Sequence, residues 1–369
     1  MSSHTSKPCI SPPQAMEILQ RIFGLTVSKM SSLPSCDDQN YHIISAEGHA
    51  FVLKIFNSED SRNAEMLDVQ ISLMIFLKEK GLPIPTPLLT KDGKRMCLVD
   101  TDCGSGPQSY MVILLTFLPG IPGAKIKFTP QLCYEVGRAA ASLDRLLQEF
   151  QHPGLKSLDR KDFIWSLANT PVLEKHLSIL GQQTRQQLVQ NVITQFKEQV
   201  QPNLNAFRKG IIHGDLHDEN ILLQQITLDH SGSGLPKVQH QQYYRISGIL
   251  DFGDTNYSHF VFEVAIAIAY IMLITPDPIS AGGHVLAGYQ SIMPLNPVEA
   301  NALFVLILCR ICQFLVLGQH ICNLYPENKE YLLHDAEKGW NLLRNLWEMD
   351  KKAVQRQWER TAKAYNVAE

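Results

Sequence analysis

The residues with the most chemistry in them lie between His213 and Asp254. The segment Ile212-His-Gly-Asp-Leu-His-Asp-Glu-Asn-Ile-Leu222 runs from an apolar pair through a polar loop and back into an apolar strand pattern. Asp215 and Asn220 stand five positions apart, and Asp251 heads an Asp-Phe-Gly triplet 31 positions after Asn220. Phosphoryl transfer needs this donor set: one Asp to accept a hydroxyl proton, and an Asn and a second Asp to hold a divalent cation against a triphosphate. Asp215 is then the proton acceptor, and Asn220 and Asp251 bind Mg2+. His217 and Asp254 stand beside them as acceptor-binding residues or behind the metal ligands, and His213 braces the loop. Each piece alone is weak. His213 and His217 at i, i+4 would suit zinc only on a helix, which Gly214 and the flanking strand patterns oppose. Both motifs occurring in this order, each bordering a strand, carries the assignment.

A triphosphate also needs a cation upstream. Lys54 is a lone charge in the strand pattern Phe51-Val-Leu-Lys-Ile55, a placement that suits a side chain aimed at phosphates. An acid on the next helix should orient it. Asp68 is the candidate, since it shares a helix face with Ile71 and Ile75, and Glu65 is the alternative. No GxxxxGK[ST] and no GxGxxG occurs. The phosphate-covering loop must then be 35–40, with its backbone amides and Ser35, Gln39 and Asn40 as contacts. Residues 115–118 would be the hinge that meets the base.

These residues need elements to position them. Helical spacing over 11–24, with Ser11 as cap and Gly24 as stop, predicts a first helix. Strand patterns follow at 26–33, 41–45 and 50–56, the last two joined by the turn 46–49. Residues 63–80 read as a helix with Leu67, Ile71, Met74 and Leu77 on one face and Gly81 after it. Strands at 96–99 and 110–117 complete a small antiparallel sheet. Leu118-Pro-Gly-Ile-Pro-Gly123 ends it. Beyond lie helical patterns from 129 and over 160–208, 259–275, 297–322 and 328–363, interrupted by strands at 221–225 and 243–250. Residues 226–242 between those strands read as a flexible hairpin tip. The division is therefore 1–25, an N-terminal helical extension; 26–117, a nucleotide-binding lobe; and 118–369, a lobe carrying the catalytic loop and acceptor-binding helices.

His213-Gly-Asp-Leu-His-Asp-Glu-Asn220 with Leu250-Asp-Phe-Gly-Asp254 resembles the aminoglycoside phosphotransferase family, the relatives of choline and homoserine kinases. Protein kinases would carry an Arg at the Gly214 position, an Ala-Pro-Glu after Asp-Phe-Gly and a Gly-rich loop, none of which is here. The resemblance implies an α+β, two-lobed protein-kinase-like fold, with an antiparallel-sheet N-lobe holding one helix and a larger, mainly helical C-lobe. It implies transfer of a γ-phosphate to a hydroxyl of a small molecule: an amino acid, choline, a sugar or an aminoglycoside. Likeness to one branch extends over about residues 10–365, taking in 34–40, 283–288 and 324–328. It implies GTP as donor, where spacing alone leaves GTP and ATP equal. The family more usually places Glu where Asp68 stands. A non-catalytic relative would have lost Asp215, Asn220, Asp251 or Lys54, and all four are present.

The 369 residues carry 33 Lys and Arg against 36 Asp and Glu, a formal charge of −3. With 45% apolar residues the chain can bury a large core. The charge balance opposes general nucleic-acid binding, which needs a basic face. The expected partners are a nucleotide and a small-molecule substrate, with no nucleic acid, membrane or obligate protein partner. Eight cysteines at irregular spacing read as free thiols in a reducing, cytoplasmic setting. Cys309-Arg-Ile-Cys312 lies in an apolar helical run with no second pair to complete a zinc site. The N-terminus shows no apolar segment of a secretory signal. The apolar runs 260–274 and 303–317 carry Glu263 and Arg310 and are shorter than a membrane span, which takes about 20 residues. They read as buried helices whose two charges pair with each other. The other option makes Arg310 a receptor for an acceptor's carboxylate, and Glu263, Asp218 and Asp254 receptors for its ammonium groups.

Overall fold

Strands dominate the chain as far as Thr116 and helices after it. The computed structural model describes residues 7–102, 106–226, 243–324 and 335–366, so most of the expected hairpin tip (227–242) and residues 325–334 lie outside the described residues. The chain divides into two units, one of residues up to Leu118 with Phe150–Leu158, the other of Pro119–Glu149 with the chain from Asp159.

The first unit opens with helix α1 (Pro12–Ile18), which Ser11 and Gln14 cap and a π turn (Leu19–Phe23) extends to Gly24 in the left-handed region. Strands β1 (Val27–Leu33), β2 (Gln39–Ser45) and β3 (Ala50–Ile55) precede helix α2 (Ala64–Glu79), and β4 (Pro87–Leu88), β5 (Cys97–Asp102) and β6 (Pro107–Thr116) follow it. The antiparallel order is β1-β2-β3-β6-β4, with β5 also on β6. Ile43, Leu53, Ile55, Tyr110, Val112 and Leu114 pack with Ile10, Ala15 and Leu19. The N-terminal helix is thus part of this core, not a separate extension. Because side chains alternate along a strand, Leu53 and Ile55 inside put Lys54 on the opposite face. The expected apolar face of α2, Leu67, Ile71, Met74 and Leu77, is buried. No pattern pointed to the return of residues 150–158, where the Phe150 ring lies 5.4 Å from Phe76.

In the second unit β7 (Ile121–Pro122) and α3 (Pro130–Leu147) come first, then α4 (Gln183–Gln195). The helical stretch expected over 160–208 is mostly 3-10 and π turns around α4, with Pro171 inside the turns of Leu167–Leu180. Four strands frame the two motifs: β8 (Lys209–Ile212), β9 (Ile221–Ile226), β10 (Tyr243–Ile249) and β11 (Asn256–His259). Then come α5 (Phe260–Ile274), α6 (Pro278–Gln290), α7 (Pro297–Leu324), α8 (Ala336–Glu348) and α9 (Lys351–Asn366). Asp350 breaks the helix expected over 328–363, its carboxylate accepting the Lys352 amide at 3.0 Å. Helix α6 was hidden in sequence by its glycines, which disfavour helix. Two glycines let α3 and α6 touch, since a Cβ on Gly137 or Gly288 would lie 1.9 Å from a carbonyl oxygen of the facing helix. Helix α7 is long and apolar enough to cross a membrane, yet 83% of its most apolar window is buried, as in a core helix. Cys309 and Cys312 are buried in it, and burial pushes the Cys309 thiol up to about 12. Cys9 is disulfide-bonded, which corrects the expectation that every cysteine is free.

Candidate active site

Two strand pairs set the two motif loops side by side. The 213–220 loop joins β8 to β9, and the 250–255 loop joins β10 to β11. Ile212 pairs with Asn256 at one end and Ile221 with Ile249 at the other. The turn needs Gly214 at φ 81°, where a Cβ would lie 2.8 Å from the Asp254 carbonyl oxygen. The His213 Nε2 lies 2.9 Å from the Leu250 carbonyl, and its Nδ1 accepts the Asp215 amide at 3.3 Å, so the neutral Nε2–H tautomer serves both contacts. That is the bracing role expected of it. The Asn220 carbonyl accepts the Leu250 amide at 2.9 Å, which fastens the loops a third time.

The Asp215 carboxylate receives three donors. Arg310 Nη2 reaches Oδ1 at 2.7 Å. Asn220 Nδ2 reaches Oδ2 at 3.1 Å and the Asp215 carbonyl at 2.9 Å. His217 Nε2 stands 3.3 Å from Oδ2. Burial by itself would raise the Asp215 pKa, but His217 and Arg310 outweigh it and hold the carboxyl well below the usual range. Burial favours a neutral His217, yet Asp215 and Asp218 push its pKa up to about 10. His217 Nδ1 accepts the Glu219 amide at 3.2 Å, so its Nε2 carries the proton turned to Asp215, and the ionised Asp215 faces the Arg310 cation on its other oxygen. Asp254 differs: burial and its neighbours Asp215 and Asp251 push its pKa well up, against the pull of Arg160 and Arg310.

Arg310 and Glu263 do not pair with each other. Glu263 is fully buried and accepts the Gly214 amide at 3.0 Å, so it serves the loop and not an acceptor's ammonium. Arg310 comes from the middle of α7. Its one sequence signal was a charge that an apolar helix should not carry unpaired. Asp218 is also buried, beside His217 Nδ1 at 3.7 Å.

Asp251 is exposed and has a φ of 54°, the one described non-glycine residue in the left-handed region. Such a conformation costs of order 1 kcal/mol and collects at functional sites. Its Oδ1 accepts the Gly253 amide at 3.2 Å. With both Asn220 amide hydrogens turned to Asp215, its side-chain oxygen is the donor left for a cation. An amide oxygen and a carboxylate are hard ligands that suit Mg2+, which takes one or two protein oxygens and leaves the rest to phosphate and water. Among the described residues there is no group of three or more His, Cys, Asp and Glu side chains that could hold a metal ion by themselves.

In the first unit Lys54 Nζ pairs with Asp38 Oδ2 at 2.9 Å, both side chains nearly buried. The expected pairing with Asp68 is corrected. Asp68 Oδ2 instead stands 3.3 Å from His152 Nε2 on the returning segment, and Glu65 packs at Gly154. Asp38 Oδ1 accepts the Asn57 amide at 2.8 Å, which fixes it under Lys54. The 35–40 loop is held from the N-terminal arm. Lys7 Nζ donates to the Cys36 carbonyl at 3.0 Å, and Gln39 exchanges two 2.9 Å hydrogen bonds with the Ile10 backbone. The Gln39 side chain is thus engaged within its own unit. Ser35 Oγ donates to the Asp38 carbonyl. Asn40 lies opposite Lys54 in the β2–β3 register, and its Oδ1 is buried without a hydrogen-bond partner among the described residues. At the expected hinge, the Thr116 and Phe117 amides already bond to the Thr86 and Ala50 carbonyls at 2.9 and 3.2 Å.

A five-stranded antiparallel path with a single long helix, followed by a helical unit in which the 213–220 and 250–255 loops lie side by side, is the architecture of a kinase-like phosphotransferase. The model of the phosphotransferase enzyme family (APH) matches residues 30–235, and the chain belongs to that family. A hydroxylysine kinase of Bos taurus is 46% identical over 371 aligned residues, covering 99% of this chain and 96% of that protein. The hydroxylysine kinase of Danio rerio is 42% identical, covering 99% of both. A homoserine kinase of Bartonella henselae is 25% identical over 93% of this chain and 96% of its own length. Among solved structures, a microcompartment-associated aminopropanol kinase superposes with a TM-score of 0.67 at 16% identity, covering 95% of this chain and 99% of that one. At that identity the likeness speaks for the fold.

Proposed function

We propose that the enzyme transfers the γ-phosphate of GTP to the side-chain hydroxyl of 5-hydroxy-L-lysine, giving 5-phosphohydroxylysine and GDP, in the cytoplasmic breakdown of hydroxylysine. The observation that carries this reading is 46% identity to a hydroxylysine kinase over nearly the whole of both chains. Among the described residues six cysteines are free, which suits a reducing compartment, whereas the disulfide at Cys9 does not. In this reading Asp215 accepts a hydrogen bond from the acceptor hydroxyl and orients its oxygen for in-line attack. Because Arg310 and His217 keep Asp215 a weak base, the proton arrives late, as the bond to phosphorus forms. Asn220 Oδ1 and Asp251 would hold Mg2+, whose chemistry is to neutralise β- and γ-phosphate charge. Lys54, aligned by Asp38, supplies further neutralisation. Backbone amides of 35–40, with Ser35 and Asn40, cover the phosphates. The half-buried Asp254 and His217 flank the acceptor.

The test is turnover by the purified protein with Mg2+, GTP or ATP, and hydroxylysine, choline, homoserine, ethanolamine or kanamycin. Release of GDP with hydroxylysine alone supports acceptor and donor together. Faster turnover with ATP overturns the donor, and turnover with another acceptor overturns the substrate.

A further inference from the structure

The Asp215 carboxylate has its acceptor sites nearly filled before any substrate arrives. A carboxylate offers about four lone-pair directions. Oδ2 takes two donors, Asn220 Nδ2 at 3.1 Å and His217 Nε2 at 3.3 Å. Oδ1 takes one, Arg310 Nη2 at 2.7 Å. The direction left open is on Oδ1, the oxygen that Arg310 holds. Arg310 is itself fixed. It is 1% exposed, its Nη1 donates to the Trp165 carbonyl at 3.2 Å, and its guanidinium lies 5.2 Å from the Trp165 and Tyr270 rings. Tyr270 in turn packs at 4.9 Å from His217, which closes the ring of contacts around the carboxylate.

We propose that Arg310 is a positioning residue: it locks the Asp215 carboxylate from the side of α7, so that Oδ1 presents its one open lone pair to the incoming hydroxyl. This rests on the reading of Asp215 given above. The rival role is capture of the acceptor's own carboxylate, for which the buried Arg310 Nε, without an acceptor among the described residues, would be the donor. The two differ in what they do to kinetics. Positioning changes kcat and acts through Asp215, whereas carboxylate capture changes the acceptor KM.

The experiment is a mutant cycle in the full-length protein with Mg2+ and nucleotide: Arg310→Met, Arg310→Lys, Asp215→Asn and the two double variants. Arg310→Met should lower kcat roughly 100-fold and leave both KM values within about 3-fold, as loss of an interaction made in the transition state does. Arg310→Lys keeps the charge but loses the planar fork that holds the Trp165 carbonyl and Asp215 from two nitrogens, and should recover about 10-fold of that loss. In the Asp215→Asn background either change should cost no further activity, because groups acting as a unit are not additive. If Arg310→Met does not fold, Arg310→Lys alone and with Asp215→Asn completes the cycle. Losses that multiply in the double variant overturn the proposal, as does a raised acceptor KM with kcat kept. The cycle is run on whichever acceptor the wild type uses, or on nucleotide hydrolysis by water if none is used. Failure of the hydroxylysine reading and failure of the Arg310 role are then separate results.

Discussion

Glu263 Oε2 accepts the Gly214 amide at 3.0 Å from the first turn of α5, so a fully buried carboxylate fastens the residue before Asp215. Burial pushes the Glu263 pKa up, partly offset by the backbone amides it accepts. An uncharged acceptor should therefore serve. Glu263→Gln is expected to keep turnover within about 3-fold, while Glu263→Ala leaves the Gly214 amide unpaired at a cost of about 1–3 kcal/mol. Denaturant unfolding and kcat of both variants check this. Equal damage by Gln and Ala would show that the charge itself is needed.

Asp215→Asn should separate binding from chemistry. The amide keeps the shape and can still meet Arg310 and Asn220 in part, but it cannot take a proton. Turnover should fall by roughly 1,000-fold or more, with nucleotide affinity within a few-fold. Isothermal titration with nucleotide beside steady-state kcat gives both numbers. Unchanged kcat would remove Asp215 from the proton-accepting role.

Asp38→Asn and Asp68→Asn distinguish two partners for Lys54. An Asn at 38 can still accept the Asn57 amide now bonded at 2.8 Å, so the change isolates the charge facing Lys54. The nucleotide KM should rise about 5- to 10-fold, since a partly buried pair is being broken. The Asp68 side chain is 42% exposed beside His152, and its change should move KM less than about 2-fold. The reverse order of effects would return the helix acid to the nucleotide site.

What the sequence could reveal followed from local pattern. The 213–220 and 251–254 motifs were legible because each carries several chemical groups in a short polar loop between apolar residues. Lys54 was legible as the one charge in a strand. Their partners were not. Arg310 lies 95 positions from Asp215, and spacing along a chain says nothing about contacts made by the fold. Asp38 was hidden because it sits in the 35–40 loop read as a phosphate cover, while α2 offered two carboxylates at the customary place. Strands β8 and β11, four residues each, are too short for an alternation to register. Helix α6 is the opposite failure: glycines that speak against helix locally are required by the close approach to α3.

His259 gives the chain a stability that depends on acid. Its ring is 7% exposed and packs 4.7 Å from Phe262 and 5.7 Å from Phe207. Burial, helped by Lys209, lowers its pKa to about 4. The unfolded chain binds this proton near the ordinary value of about 6.5. Between those two values the unfolded state gains a proton that the folded state refuses, so stability falls as pH drops from about 6.5 to 4. Above about 6.5 both states are neutral and the group contributes no pH dependence. Because other groups titrate in the same range, the informative quantity is the difference between variant and wild type. His259→Phe keeps a ring in the aromatic cluster and removes the proton. Its stability relative to wild type should improve by up to about 3 kcal/mol between pH 7 and pH 4. Urea unfolding at pH 7, 6, 5 and 4 measures that slope. Parallel curves for variant and wild type would mean that the folded ring takes up its proton as readily as the unfolded one.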